Sequence, residues 1–225
     1  MTIEVRRAAD RFVTRAEGRT TRHSFSFGTH YDPGNVGFGS LVALNDELLP
    51  PGTGYPDHLH RDTEIVTVVL SGALRHTDSA GRSGVLEPGG ISRTSAGSGI
   101  VHAEVAASYE TTRFVQTWLR PDEPGGVPSY ASAEVGRPAG LTEVVGPDGV
   151  TGIATRGARL FLAHLEPGCV DLPDAPLLHV FSAGAVVTVA AHELLPDDEI
   201  RLIDMGPLPL TVTHPGLLLV WSQTR

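Results

Sequence analysis

Two short pairs of residues with metal-ligating side chains lie in the first half of the chain. His58 and His60 form one pair, and His102 and Glu104 form the other. Because side chains at positions i and i+2 of a β-strand point to the same side, each pair would present both members on one face. If the two strands are near neighbours, three imidazoles and one carboxylate converge. That donor set suits a first-row transition metal, with Fe(II), Mn, Co, Ni and Cu as alternatives, and six-coordination would leave two positions for water, dioxygen or a substrate.

Other side chains near these pairs are candidates for supporting roles. Glu64 lies four residues after His60, and we expect it to orient an imidazole or to serve the structure rather than to bind the metal. We expect His76 at the surface end of a strand. His23 and His30 are expected to be packed or hydrogen-bonded, with His23 placed to line the mouth of a barrel.

The second half of the chain carries no comparable pair. Its histidines have no H-x-H spacing, and we expect no second metal site from them; they are His164, His179, His192 and His214. Cys169 is the only cysteine, and we expect it to be unreactive and in a loop. A single cysteine excludes an intrachain disulfide and a cysteine-rich zinc site.

The composition excludes several classes of function. The net charge of −9 argues against a nucleic-acid-binding protein that relies on overall basicity, because affinity for a duplex comes mainly from Lys and Arg that neutralise phosphates. The chain contains no lysine, which excludes mechanisms through a lysine Schiff base. The sequence shows no signal-peptide pattern and no apolar run of about 18 residues, so we expect a cytoplasmic protein without a membrane span.

The distribution of turn formers predicts an all-β protein. The chain has 26 glycines and 17 prolines, a density that favours many short strands over long helices. Strand-like segments recur about every 8–12 residues, a spacing typical of β-barrels and sandwiches. In the first half we predict strands over residues 22–27, 36–44, 64–70, 73–77, 91–95, 100–105 and 112–119. In the second half we predict strands over 141–145, 158–165, 177–182, 186–190, 200–203, 210–212 and 217–221.

The strands fall into two groups separated by a segment of different composition. Residues 120–140 are rich in proline and glycine and have little periodic apolar content, which is typical of a linker. We therefore predict an N-terminal metal-binding domain over 1–122 and a C-terminal domain over 141–225. The linker between them, 123–140, is predicted to contain one short helical turn near 132–135.

The spacing around the first histidine pair resembles a known motif. Gly52, five residues, His58-x-His60, three residues and Glu64 follow the pattern of the first cupin motif. The wider first half resembles the pirins, a bicupin family, and especially their shorter bacterial members. The segments that carry this resemblance are HSFSF (23–27), YDPGNVGFGSL (31–41), LNDELLPPGTGYPDHLHRDTEIVTVVLSG (44–72), HTDSAGRSG (76–84), EPGG (87–90), TSAGSGIVHAE (94–104) and QTWLRP (116–121). The second half resembles the pirins only in its length and in the spacing of its strand-like segments.

The resemblance to the pirins implies two jelly-roll β-barrel cupin domains, the C-terminal one degenerate, and one mononuclear metal in the N-terminal domain. The family's ligands correspond to His58, His60, His102 and Glu104, all of which are present. The family metal is usually iron, although related sites accept other divalent ions. Leu59 stands where bacterial relatives often have proline, and we expect no effect on the metal because this residue faces away from it.

The resemblance further implies an oxidoreductase activity similar to quercetin 2,3-dioxygenase. Its small-molecule partners would be an aromatic substrate, a flavonol such as quercetin, and dioxygen. Glu104 would bind the metal and also act as the catalytic base that takes the proton of a substrate hydroxyl. We expect the apolar walls of the site to come from Phe25, Phe27, Phe38 and the strand at 66–70.

Two other functions stay open from the sequence alone. The resemblance also implies a non-enzymatic regulatory role, in which a redox-sensing iron centre alters the affinity for a protein partner. The acidic net charge favours a protein partner over direct contact with DNA. A cupin-type sugar isomerase or epimerase would need cations beside the ligands, and Arg61 and Arg93 are the nearby candidates. We expect a monomer in each case.

Overall fold

The structure, a computed structural model, describes every residue from Met1 to Arg225. Apart from one 3₁₀ turn at Ala8–Asp10, its regular elements are β-strands, which confirms the all-β prediction. The strands are β1 (Thr2–Arg6), β2 (Phe12–Ala16), β3 (Arg19–His23), β4 (Leu41–Leu49), β5 (Gly54–His60), β6 (Glu64–Ser71), β7 (Leu74–Asp78), β8 (Ser83–Leu86), β9 (Gly90–Ser95), β10 (Ile100–Ala106), β11 (Thr112–Leu119), β12 (Ser129–Glu134), β13 (Thr142–Val145), β14 (Arg159–Leu165), β15 (Gly168–Asp171), β16 (Leu177–Ala183), β17 (Val186–Val189), β18 (His192–Leu194), β19 (Glu199–Ile203), β20 (Pro209–His214) and β21 (Gly216–Gln223). No helix in the structure has the length that crossing a bilayer requires.

The chain forms two compact units. The N-terminal unit comprises residues 12–136 together with 153–155. The C-terminal unit comprises residues 1–11, 137–152 and 156–225. The first strand of the chain belongs to the C-terminal unit because β1 pairs along its whole length with β19.

The N-terminal unit is built from two antiparallel sheets. The larger sheet has the strand order β12-β9-β6-β11-β4-β3-β2, and the smaller has the order β5-β10-β7-β8. Apolar side chains from both sheets meet in one buried cluster formed by Leu49, Val69, Leu74, Leu86, Ala106 and Phe114. Two sheets that share a core in this way form the jelly-roll architecture of a cupin domain, although the sheets are separate rather than joined in one closed barrel.

The C-terminal unit repeats this plan with different strands. Its sheets have the orders β1-β19-β16-β21-β14-β13 and β15-β20-β17-β18. Its core is almost entirely aliphatic and includes Leu178, Val180, Val187, Ile200, Leu210, Leu218 and Val220. Each unit buries its own core between two sheets, which is the two-domain arrangement that the resemblance to the bicupins predicts.

The Pro- and Gly-rich segment between the two halves differs from its prediction. Residues 129–134, placed in a linker with a helical turn, form strand β12 at the edge of the larger sheet, paired with β9 from Ser129↔Ser95 to Glu134↔Gly90. The sequence SYASAE offers little apolar periodicity, because an edge strand is held mainly by its backbone hydrogen bonds to one neighbour. The N-terminal unit consequently extends to residue 136.

Candidate metal centre

Strand β5 carries the first histidine pair. Its side chains alternate in burial, so that His60 is buried and His58 half-buried, whereas Leu59 between them is 54% exposed. This alternation follows from the pleat of a β-strand. Leu59 therefore faces away from the site, as expected for the residue between the two histidines.

Strand β10 brings the second pair to the same place. His102 and Glu104 are both buried in its alternating pattern. Antiparallel pairing sets His102 directly opposite His58. The register then shifts, and Glu104 lies opposite Tyr55. Such an irregularity bends the local backbone and changes the direction of the side chains beside it.

Three imidazoles meet where these strands pair. One ligand nitrogen each from His58, His60 and His102 lies within 4.8 Å of the other two. Nε2 of His58 and Nε2 of His102 are 3.1 Å apart. The ring centroid of His58 lies 4.7 Å from that of His60 and 4.5 Å from that of His102. The structure thus brings together all three histidines that the sequence singles out.

The chemical state of these imidazoles fits a metal ion. Nδ1 of His58 donates a hydrogen bond to the carbonyl oxygen of Pro56 at 2.7 Å, which leaves Nε2 as a lone-pair donor. Nε2 of His60 is buried and has no hydrogen-bond partner in the chain, an unfavourable state for a polar atom that binds nothing. Burial lowers the pKa of His60 to about 4 and that of His102 to about 3, so both are neutral at pH 7. Neutral imidazoles with free nitrogens are typical ligands of divalent transition metals.

The carboxylate of Glu104 lies at the edge of this cluster. One of its oxygens is within 4.8 Å of ligand nitrogens of His76 and His102, so it belongs to a second group that overlaps the three imidazoles at His102. Oε2 of Glu104 accepts a hydrogen bond of 2.7 Å from Nε2 of Gln116. Burial raises the pKa of Glu104 to about 7, and the hydrogen bond from Gln116 opposes that rise.

Gln116 is held in one orientation by its neighbours on the larger sheet. Its Nε2 also donates to Oγ1 of Thr67 at 3.1 Å, and its Oε1 accepts from Nε1 of Trp118 at 2.9 Å. Cross-strand register places Gln116 between Asn45 on β4 and Thr67 on β6. Since both ends of the amide are engaged, Gln116 can only present its N–H group to Glu104.

Replacing Gln116 with leucine is expected to weaken metal binding by about 10- to 100-fold, the usual effect of losing a group that orients a metal ligand. The substitution removes the donor to Glu104 and keeps a similar volume. Competition with a metal-binding dye measures the affinity. Trp118→Phe is a milder comparison, because it removes the Nε1 donor to Gln116 and one ring of the indole but leaves the donor from Gln116 to Glu104, and it should change the affinity less. Equal affinity in the Gln116 variant and the unmodified protein would contradict this role.

His76 differs from its predicted surface position. It is 2% exposed on β7, where Leu74 and His76 share the buried face. Its ring stacks on Tyr130 with centroids 4.2 Å apart, and it meets the ring of His102 edge-on at 5.3 Å. Nε2 of His76 lies 3.4 Å from Oδ2 of Asp78. The apolar residue Leu74, two positions before His76 in the same strand, is the sequence signal that would have placed His76 on the buried face.

Glu64 has a structural position rather than a place among the imidazoles. Its Oε2 accepts hydrogen bonds from Oγ of Ser95 at 2.7 Å and from the backbone N–H of Ala154 at 3.1 Å. The carboxylate is buried and belongs to neither group of metal-ligating atoms. Glu64 therefore anchors the short segment 153–155 to the N-terminal unit.

Two of the imidazoles, those of His58 and His60, line a cavity of about 270 Å³ with aromatic walls. The residues that line it are Phe27, Asn45, Glu47, Tyr55, His58, His60, Glu104, Gln116 and Trp118. The Trp118 ring meets that of His60 edge-on at 4.8 Å, and Phe27 meets Trp118 at 5.1 Å. Of the predicted walls, Phe27 faces this cavity, whereas Phe25 and Phe38 are buried elsewhere and the strand at 66–70 contributes no lining residue.

The cations near the cavity are engaged elsewhere. Arg93 donates to the hydroxyls of Ser95 and Ser129. Arg61 donates to the carbonyl oxygen of Ser98. Neither arginine lines the cavity, so the site offers no positive group to a phosphorylated sugar.

Glu47 is a second carboxyl group in the wall of the cavity, and no local sequence pattern singles it out. It lies on β4 and is 3% exposed. Burial raises its pKa from 4.5 to about 7, with smaller contributions from Glu104 and Asp46, while hydrogen bonds from Thr21 and Tyr55 lower it. The carboxyl group is therefore more easily protonated in the folded chain than in the unfolded chain.

Glu47→Gln is expected to become progressively more stable than the unmodified protein as the pH rises from 5 to 8. The proton on Glu47 favours folding, and this contribution is lost as the pH rises from the unfolded pKa towards about 7. This raised pKa can change the difference in free energy of unfolding between the two proteins by at most about 3 kcal/mol. Thermal unfolding at pH 5 and pH 8 measures it, with the exposed Glu87→Gln as the control. A difference in melting temperature that does not change with pH would contradict the raised pKa.

The remaining candidates lie outside the imidazole cluster. His23 is buried and hydrogen-bonded to Asn45 and Thr14, and it lines a neighbouring cavity of about 250 Å³. The ring of His30 packs on Phe12 with centroids 5.1 Å apart. Cys169 is exposed, and it lies on strand β15 rather than in the predicted loop.

In the C-terminal unit the histidines do not come together. His179 is fully buried with its Nε2 3.0 Å from Oε2 of Glu199. His164 is half-buried, and His192 and His214 are exposed. None of the four belongs to a group of three or more potential metal-ligating atoms.

The amino-acid sequence is similar to one known protein family and to named bacterial proteins. The family model described as Pirin matches residues 4–119. A protein of Mycobacterium tuberculosis, provisionally named a quercetin 2,3-dioxygenase, is 45% identical over 232 residues, which cover 99% of this chain and 95% of the relative. Quercetin 2,3-dioxygenase of Escherichia coli is 38% identical over 127 residues, covering 56% of this chain and 55% of that protein.

Solved structures show the same fold over the whole chain. The crystal structure of YhhW from Escherichia coli has a TM-score of 0.94 and 27% identity, covering 99% of this chain and 97% of that one. A second structure of this bacterial pirin, in complex with nickel(II), has a TM-score of 0.92 and 26% identity, with 99% of both chains covered. With a matching family model over half of its length and a 45% identical relative along nearly all of it, the chain belongs to the pirin family.

Proposed function

We propose that this pirin is a mononuclear metal-dependent dioxygenase that acts on a flavonol such as quercetin. The observation that carries the proposal is a cluster of three imidazoles, two of which, His58 and His60, lie with the buried carboxylate of Glu104 in the wall of a cavity with aromatic sides. Enzyme sites commonly combine such an apolar cavity with a few convergent polar groups and perturbed pKa values. The names of the relatives from Mycobacterium tuberculosis and Escherichia coli support the same activity.

His58, His60 and His102 would hold the metal ion, with Glu104 as the fourth protein ligand. We propose Fe(II), with Mn, Co, Ni or Cu as alternatives, because imidazole and carboxylate donors accept all of them. The nickel(II) bound by the related YhhW supports a divalent ion. When bound, the ion supplies Lewis acidity towards the substrate oxygen and a position for dioxygen.

The chain's own residues would prepare the substrate. Glu104 takes the proton from a substrate hydroxyl, since its carboxylate borders the imidazoles and lines the cavity. Gln116 holds that carboxylate in place through its Nε2 donor. Phe27 and Trp118 offer ring faces and edges against which an aromatic substrate packs, and their apolar surface excludes water.

Oxygen uptake by metal-loaded protein tests the proposal. Protein reconstituted in separate samples with Fe, Mn, Co, Ni or Cu should consume dioxygen and bleach quercetin, whereas metal-free protein should do neither. If the metal is stably bound and none of the five samples takes up oxygen, the proposal of a dioxygenase is wrong. Capture of a protein partner that depends on the oxidation state of bound iron would then support the regulatory role instead.

A further inference from the structure

The cavity contains a polar group that the proposed chemistry does not use. Glu47 lines the same cavity as His58, His60 and Glu104, yet it belongs to neither group of potential metal ligands. Its neighbour Asp46 is paired with Arg113 and Arg22, whereas no arginine pairs with Glu47. A buried carboxyl group without a cation is unfavourable for folding, and such groups cluster at binding sites.

The hydrogen bonds of Glu47 fix it with one oxygen unused. Oε2 accepts from Oγ1 of Thr21 at 2.7 Å and from the hydroxyl of Tyr55 at 2.9 Å. Tyr55 is itself held, because the guanidinium of Arg19 lies 4.4 Å from the centre of its ring. Oε1 of Glu47 accepts no hydrogen bond from the chain. The carboxyl group is thus rigid, buried and able to bind one more polar partner in the cavity.

The position of Tyr55 is a further reason to expect that Oε1 of Glu47 binds a ligand. Tyr55 and Phe27 line both the cavity beside the imidazoles and the neighbouring cavity of about 250 Å³. An aromatic ligand that extends from the imidazoles towards the second cavity passes Tyr55, whose hydroxyl is bonded to Glu47. A hydroxyl on such a ligand is a group with which a carboxyl oxygen can form a hydrogen bond.

We propose that Glu47, held by Thr21 and Tyr55, is a specificity-determining residue that binds a ring hydroxyl of the substrate remote from the reacting group. The cavity would therefore select polyhydroxylated aromatic compounds over analogues that lack this hydroxyl. This inference rests on the proposed function, since it names the substrate class of the same site. A site built to hydrogen-bond a substrate hydroxyl rejects the analogue without it, because the buried polar group is left unpaired.

Calorimetric titration without oxygen tests this selection separately from turnover. Metal-loaded protein is titrated with quercetin, with galangin, which lacks the hydroxyls of the pendant ring, and with 3′,4′-dihydroxyflavonol, which lacks those of the fused ring. We expect one of the two analogues to bind about 10- to 100-fold more weakly than quercetin. In Glu47→Leu this ratio should fall to within about threefold, and Glu47→Gln, which keeps a polar end, should retain part of it.

Control variants distinguish the selection of ligands by Glu47 from damage to the folded site and from loss of turnover. Tyr55→Phe keeps the ring and removes the hydroxyl, and it should reduce the ratio less than Glu47→Leu. Metal content should stay unchanged in every variant. An unchanged ratio in both Glu47 variants, or no flavonol binding at all, would overturn the inference. If binding is selective and depends on Glu47 but no oxygen is taken up, the inference about Glu47 is upheld and the proposal of a dioxygenase fails.

Discussion

Replacing His58 with alanine is expected to reduce the affinity for the metal at least about 100-fold, so that the purified protein loses the roughly one ion per chain that we expect. Loss of a group that only orients a ligand weakens metal binding about 10- to 100-fold, and loss of a ligand itself exceeds that. His58 is half-buried, so truncating it disturbs the core less than truncating His102. Elemental analysis of the purified protein measures the metal, and circular dichroism checks the fold.

His192→Ala is the matched control for this experiment. His192 is exposed at the start of β18 in the C-terminal unit, far in sequence from the imidazole cluster. This variant should keep the metal content of the unmodified protein. Full metal content in His58→Ala, with the fold intact, would show that the ion binds elsewhere.

Glu104→Gln is expected to lower the turnover of quercetin by about 100- to 10,000-fold, the usual contribution of a general base. The amide has the shape of the carboxylate and can still accept a hydrogen bond from Gln116, but it cannot take a proton. Three imidazoles stay in place, so the variant should lose less metal than His58→Ala. Turnover is measured per bound metal ion, which separates the loss of the base from the loss of the ion.

The exposed carboxylate of Glu110 provides the control for Glu104. Glu110→Gln changes the same functional group in the same unit away from the cavity, and it should leave turnover unchanged. Turnover per metal ion within twofold of the unmodified protein in Glu104→Gln would remove Glu104 from the mechanism.

The residues of the site that could be predicted from sequence are those with strong local patterns. The alternation in β10 puts His102 and Glu104 on one face whatever the rest of the chain does. Strand β11 is predicted at its observed bounds, Thr112–Leu119, because branched and aromatic residues alternate along it between turn formers. The same i, i+2 spacing joins Gln116 and Trp118 on β11, and it could have identified both.

Residues whose role depends on a cross-strand neighbour could not be predicted in this way. Glu47 matters because Tyr55 lies beside it, and no local pattern reports the pairing of distant strands. The position of Glu104 beside His76 depends on the register between β10 and β7, in which the two residues are direct cross-strand partners. The edge strands β1, β2 and β12 are not predicted from the sequence, because their short, partly polar sequences are stabilised by pairing rather than by burial.

The pairing of β1 with β19 has a consequence for biosynthesis. Strand β1 must wait for its partner, Glu199–Ile203, which follows every strand of the N-terminal unit along the chain. Until β1 docks, β19 is an uncovered sheet margin able to pair with other chains. Ile3 and Val5 of β1 pack on the aliphatic core of the C-terminal unit, so removal of β1 would uncover part of that core together with the margin of β19.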